Sequence, residues 1–310
     1  MRVVFMGTPD FSVPTLQKLI DEKHEILAVV TQPDKAKGRS KAVQFTPVKE
    51  LAVKYDIPVI QPVKIRNNEE FYNTMKELNP DVCVVVAFGQ ILPKEILELP
   101  KYGCVNVHGS LLPKYRGAAP IQWAVINGEK EAGVTTMQMD TGIDTGDMFK
   151  KAVIPVAEDE TGGSLFDKLS NVGADLLIET LKDIEAGTAK AEKQNEEESS
   201  YVKMFTKEFG QIDFNQSAAK IECLVRGLNP WPSAYTSLHG KTLKIWRARV
   251  GDTKESQKPG TIIDVAKDSF TVMTGEGALK ILEMQLEGKK RMPTDAFLRG
   301  YSISVGEQLG

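Results

Sequence analysis

Histidine and cysteine are scarce in this chain, three of each among 310 residues. Cys83, Cys104 and Cys223 stand in apolar surroundings without C-x-x-C spacing, and an odd number argues against a disulfide framework. So thin a supply of imidazole and thiolate gives no basis for a zinc site, and no metal is expected. No apolar run approaches the ~20 residues that span a bilayer. The opening Met1-Arg2-Val3-Val4-Phe5-Met6 turns at Gly7-Thr8-Pro9 before a signal-peptide core develops. Neither secretion nor membrane insertion is expected, and the free thiols fit a reducing cytoplasm. Glycine is also missing where a dinucleotide site needs it. Gly7-Thr8-Pro9-Asp10-Phe11-Ser12 has one glycine rather than three, with a bulky Phe11 and an acidic Asp10 where a pyrophosphate would approach.

What is present is ordinary in bulk and uneven in detail. A hydrophobic fraction of 41% and a charged fraction of 26% are those of a soluble protein. The length suffices for two domains of ~100–200 residues each. Net charge is −3, yet residues 207–310 hold 15 basic and 12 acidic groups, so the acidic excess lies before them. Within that acidic part, Lys35, Lys37, Arg39 and Lys41 oppose only Asp34 across residues 34–41. Such a loop is either a footprint for phosphates or a solvated surface, and charge pattern alone does not choose.

Short runs that are apolar on both faces recur at 2–6, 26–31, 58–60 and 82–88, separated by helical patterns. That alternation predicts a parallel sheet covered on each side. Strand candidates at 103–107 and 134–139 and a long helical pattern over 162–187 complete one doubly wound α/β domain, residues 1–187. Residues 188–206 are polar without apolar periodicity, as an exposed linker is. Beyond a helical stretch at 217–228, residues 207–310 read as β-rich. Strands are expected at 234–238, 242–249, 260–265, 269–273 and 278–284, which suits a small barrel, an OB-like one among the choices. By strict alternation Trp246 shares a face with Lys244 and Ala248.

Two segments carry chemistry. The strand at 103–107 delivers Asn106 and His108, two positions apart and so on one face, at the end where open α/β sheets bind ligands. An amide N–H can stabilise a developing oxyanion, and an imidazole moves protons near neutral pH. The second segment is Asp140-Thr141-Gly142-Ile143-Asp144-Thr145-Gly146-Asp147, also at a strand end. Its acid spacing does not match an EF-hand, and Lys151 occupies the place of the terminal glutamate. One of these carboxylates orienting an imidazolium is the better reading. Ser110 lacks a G-x-S-x-G elbow, so attack by the substrate's own nucleophile is favoured.

Asn106-x-His108 followed by Ser110-Leu111-Leu112-Pro113, with Asp144 inside Thr141-Gly142-Ile143-Asp144-Thr145-Gly146, resembles the 10-formyltetrahydrofolate-dependent formyltransferases. Phe5-Met6-Gly7-Thr8-Pro9-Asp10-Phe11, Pro113-Lys114-Tyr115-Arg116-Gly117-Ala118-Ala119-Pro120 and Asn229-Pro230-Trp231-Pro232 extend the resemblance over essentially the whole chain, toward members acting on charged tRNA. It implies a formyltransferase-like Rossmann variant followed by an OB-like barrel. The implied activity is formyl transfer from 10-formyltetrahydrofolate to the α-amine of methionyl initiator tRNA, for translation initiation. Asn106, His108 and Asp144 would be catalytic, and Ser110, Leu111, Leu112 and Pro113 would line the folate pocket. Lys35, Lys37, Arg39 and Lys41 would contact the acceptor stem, and the barrel would hold the tRNA arm. A cytoplasmic monomer is expected. The alternative is a folate-dependent formyltransferase acting on a small amine such as a nucleotide sugar, for which the basic loop has no use.

Overall fold

The computed structural model describes every residue except 38–41 and 254–255. The chain divides into two units. The first gathers Met1–Pro120, Glu131–Ile154 and Phe166–Val202; the second gathers Ile121–Lys130, Pro155–Leu165 and Lys203–Gly310.

In chain order the elements up to residue 202 are β1 (Arg2–Gly7), α1 (Val13–Asp21), β2 (Glu25–Val30), β3 (Lys35–Lys37), β4 (Ala42–Gln44), α2 (Pro47–Lys54), β5 (Val59–Ile60), α3 (Glu69–Leu78), β6 (Val82–Val86), α4 (Lys94–Leu97), β7 (Cys104–His108), β8 (Arg116–Gly117), α5 (Pro120–Ile126), β9 (Glu131–Gln138), β10 (Met148–Pro155), α6 (Gly162–Glu185) and β11 (Tyr201–Val202). Seven strands form one sheet in the order β10-β9-β7-β6-β1-β2-β5. β7, β6, β1, β2 and β5 run parallel, and β9 lies antiparallel to β7. The expected doubly wound, mostly parallel sheet is therefore present. Its central strands are apolar on both faces because both are covered: all five residues of β6 are buried. On α6, Leu165, Leu169, Leu177 and Leu181 are fully buried, and the Thr180 and Thr136 hydroxyls meet at 2.8 Å to fix the helix against β9. Gly173 allows close approach, since a Cβ there would lie 2.8 Å from Val107 Cγ1 on β7.

β10 had no counterpart in the sequence reading, because its exposed face carries Lys151 and its pattern alternates instead of running apolar. Residues 188–202, read from composition as linker, belong with the first unit. Glu192 bridges Met148, Gln194 is buried, and β11 pairs parallel with β8. Gln194 and Glu196 there bond the buried Arg116, which a composition count cannot distinguish from solvation.

The second unit carries α7 (Ala218–Gly227), β12 (Ala234–Leu238), β13 (Lys241–Gly251), β14 (Ile262–Val265), β15 (Phe270–Met273), β16 (Ala278–Leu286), β17 (Met292–Pro293) and α8 (Thr294–Leu298). The antiparallel order is β12-β13-β16-β15-β14, with β17 on β16. Its two outer strands are bridged by the segment 306–310. Gly306 and Leu309 donate to Ile262 and Gly260 carbonyls, and Gly310 donates to Ser237 on β12. Leu243, Ile245, Phe270, Leu279 and Ile281 fill the interior. A register shift between Ile245 and Ala248 breaks the alternation along β13. Ala248 therefore points into the core rather than sharing the face of Lys244 and Trp246, as strict alternation had it.

Candidate active site

β7 ends the parallel part of the sheet, and its alternation sends Val105 and Val107 to one face and Asn106 and His108 to the other. Both polar side chains are enclosed, at 8% and 7% exposure. Among the described residues the Asn106 amide has no hydrogen-bond partner, which leaves it available to a ligand. His108 is held on both sides of its ring. Nε2 donates to the Tyr115 carbonyl at 2.9 Å, and Nδ1 faces Asp144 Oδ2 at 3.6 Å. A carbonyl on one nitrogen and a carboxylate beside the other fix the plane of the ring.

The loop after β7 is fastened from β9. The fully buried Thr135 hydroxyl donates to the Ser110 carbonyl at 2.7 Å and accepts from Leu112 N–H at 3.1 Å. Ser110 Oγ donates to the Lys114 carbonyl at 2.7 Å, and Leu112 packs with Met137 and Met148. Ser110, Leu112 and Pro113 are buried, and Leu111 is half-buried. Of the segment expected to line a folate pocket, Leu111 thus has the most exposed side chain.

Asp144 lies on the turn between β9 and β10. Asp140 closes that turn by accepting from Gly142 N–H at 3.0 Å and from the Thr145 hydroxyl at 2.7 Å. Gly146 has no room for a side chain, since a Cβ would fall 1.7 Å from the Gln138 carbonyl oxygen. Of the three acids in this turn, Asp144 is the one brought to the imidazole. Its Oδ2 also accepts from Gly117 N–H at 2.7 Å. The Asp144 backbone sits in the left-handed region at φ 55°, which costs an L-residue about 1–2 kcal/mol. Surrounding contacts must hold it there.

Two side chains without an assigned role in the sequence supply such contacts. Arg116, fully buried, pairs through both terminal nitrogens with Glu196 at 2.9 and 2.7 Å and donates from Nε to Gln194 at 3.0 Å. This pairing raises the Arg116 pKa and lowers that of Glu196. Gln194 in turn donates to the carbonyls of Asp144 and Gly146, each at 2.8 Å. Arg116 was visible within the motif, but the importance of Gln194 left no sequence signal.

Lys35 and Lys37 lie on β3, paired antiparallel with β4. Arg39 and Lys41 lie outside the described residues. At the foot of this basic segment, Asp34 is held by Lys49 and Gln61, and the Lys49 ammonium lowers the Asp34 pKa. Among the described residues no three His, Cys, Asp or Glu side chains converge to hold a metal ion.

Residues 1–181 match the formyl transferase family model, and residues 204–302 match that of the formyl transferase C-terminal domain. The chain belongs to the formyl transferase family. It is 58% identical over 306 residues to a methionyl-tRNA formyltransferase of Agathobacter rectalis, covering 99% of this chain and 98% of the relative. A methionyl-tRNA formyltransferase of Clostridioides difficile is 57% identical over 310 residues, covering all of both chains. Among solved structures, an N-formyltransferase from Helicobacter canadensis, in complex with folinic acid and dTDP-3-aminofucose, aligns with TM-score 0.68 at 21% identity. That alignment covers 94% of this chain and 99% of the other, and it speaks to the fold.

Proposed function

We propose that this formyl transferase moves the formyl group of 10-formyltetrahydrofolate onto the α-amine of methionyl initiator tRNA, for translation initiation. The observation that carries the chemistry is the His108 ring, fixed between the Tyr115 carbonyl and Asp144, with Asn106 on the same face of the strand. The acceptor is drawn from relatives above 55% identity that span the whole chain and bear the methionyl-tRNA name. The sugar-nucleotide alternative rests on a solved protein of similar fold at 21% identity, which is too distant to carry a substrate.

In this reading the amine attacks the formyl carbon and forms a C–N bond, leaving a tetrahedral oxyanion. The Asn106 amide and the protonated His108 ring stabilise that oxyanion, the kind of contact that contributes ~10²–10³ in rate. Asp144 holds the ring and helps move the amine proton toward N10 of the folate as the N10–carbon bond breaks. The folate lies against the turn at 110–113, whose buried Ser110 and Leu112 hold its backbone in place. Lys35, Lys37, Arg39 and Lys41 contact phosphates of the tRNA acceptor stem. No metal takes part.

The test is an assay of formyl transfer from 10-formyltetrahydrofolate to charged initiator tRNA, with free methionine and an amino-sugar nucleotide as competing acceptors. Formyl-methionyl-tRNA is the expected product. Preferential formylation of the sugar nucleotide would overturn the acceptor, and no transfer to any amine would overturn the chemistry.

A further inference from the structure

Behind the His108–Asp144 pair lies a buried polar link that touches neither reacting group. The Gln194 amide spends both donors on the Asp144 and Gly146 carbonyls and its oxygen on Arg116 Nε. Arg116 is anchored at its far end by Glu196 and by the Tyr201 hydroxyl at 3.0 Å. The residues on either side of Arg116 are the ones that hold the pair: the Tyr115 carbonyl receives His108, and Gly117 N–H binds Asp144. One guanidinium therefore ties the backbone that grips both side chains to the turn that presents the carboxylate.

We propose that Arg116 and Gln194 are positioning residues that set the separation of Asp144 from His108. The proposal rests on the reading of that pair as catalytic. Asp144 occupies a left-handed conformation that an aspartate leaves readily unless it is held. The two bonds from Gln194 fix the carbonyls at and two residues beyond it, so the turn cannot relax without breaking them. Attraction between carboxylate and imidazolium falls with distance, so a small displacement weakens transition-state stabilisation while leaving the substrate-binding surfaces in place. An apolar side chain would fill the same space but could not hold the carbonyls.

The experiment compares full-length Gln194→Glu, Asp144→Asn and the double variant. It measures kcat, KM for 10-formyltetrahydrofolate and for methionyl-tRNA, and the urea midpoint to verify folding. Glutamate keeps the shape and the contact with Arg116 but loses both donors. Gln194→Glu should lower kcat by about tenfold or more with each KM within about threefold, the pattern of an interaction needed in the transition state. Asp144→Asn should lower kcat by ~10² or more, and adding Gln194→Glu to it should cost no more than about threefold further, because both act through one carboxylate. Arg116→Lys, which removes the Nε–H bond to Gln194, should show the same kcat loss as Gln194→Glu. If Gln194→Glu does not fold, Gln194→Met takes its place with the same expected split.

A normal kcat in a folded Gln194 variant, a change confined to KM, or fully additive losses in the double variant would each overturn the positioning role while the catalytic pair stands. Undiminished kcat in Asp144→Asn would overturn the catalytic reading itself.

Discussion

Gly117 joins two requirements that no other residue type meets together. Its backbone lies at φ 98°, and a Cβ would fall 2.5 Å from the Val202 carbonyl oxygen, while its N–H holds Asp144. Gly117→Ala should therefore destabilise the chain by about 1–3 kcal/mol and lower kcat as well, a coupling that urea titration and steady-state kinetics together would reveal. Asn106 is the opposite case, a side chain whose amide engages no protein group among the described residues. Asn106→Ala should leave the urea midpoint nearly unchanged and lower the single-turnover rate by ~10²–10³. Equal rates for this variant and the parent would remove Asn106 from the oxyanion site. The three acids of the Asp140–Asp147 turn show where sequence reading stops. Composition and spacing left them equivalent, and only the family resemblance singled out Asp144. The structure supplies the physical difference: Asp140 is occupied by Gly142 and Thr145 within its own turn.

The parallel strands were legible because burial on two faces demands uninterrupted apolar runs, and β1, β2 and β6 have them. The short pair β8 and β11 was not. Two-residue strands carry no periodicity, and their partners lie about 85 positions apart in the chain. Gln194 was illegible for the same reason, since its three contacts are 48, 50 and 78 residues distant. The loop that follows β7 is fastened to β9 by the Thr135 hydroxyl. Thr135→Val would leave the Ser110 carbonyl and Leu112 N–H unpaired and buried, at a cost of about 1–3 kcal/mol, and should raise KM for the folate. Urea unfolding and folate titration of this variant check both effects. Between α1 and β2, burial and the neighbouring chain amine push the His24 pKa below its ordinary 6.5. The unfolded chain then binds the proton more tightly than the folded one. His24 therefore contributes full stability above pH 6.5, and this is lost as pH falls from there through the lowered folded value. His24→Gln should flatten that part of the stability–pH curve, which urea midpoints between about pH 5 and pH 7.5 would show.

The distribution of charge over the chain sets the expectation for its large polyanionic substrate. With a net charge of −3, attraction to RNA must come from local clusters, and residues 34–41 are the densest in the acidic part. Use of methionyl-tRNA should fall steeply with salt while folate binding barely responds. Arg39→Ala should weaken tRNA use by about 1–3 kcal/mol and flatten the salt response. Kinetics at two ionic strengths separates this from a purely solvating role, for which both responses stay unchanged.

The pairing of residues 116–117 with 201–202 also has a consequence for biosynthesis. His108 and Asp144 leave the ribosome well before Gln194, Glu196 and Tyr201, which complete their surroundings. At translation speeds of ~5–20 residues per second, a nascent chain carries its imidazole and carboxylate for several seconds with the Arg116 guanidinium still lacking these partners. A ribosome stalled just short of codon 194 would carry every strand of the seven-stranded sheet without a finished catalytic centre, so the enzyme matures only once residues 194–202 of the first unit have emerged.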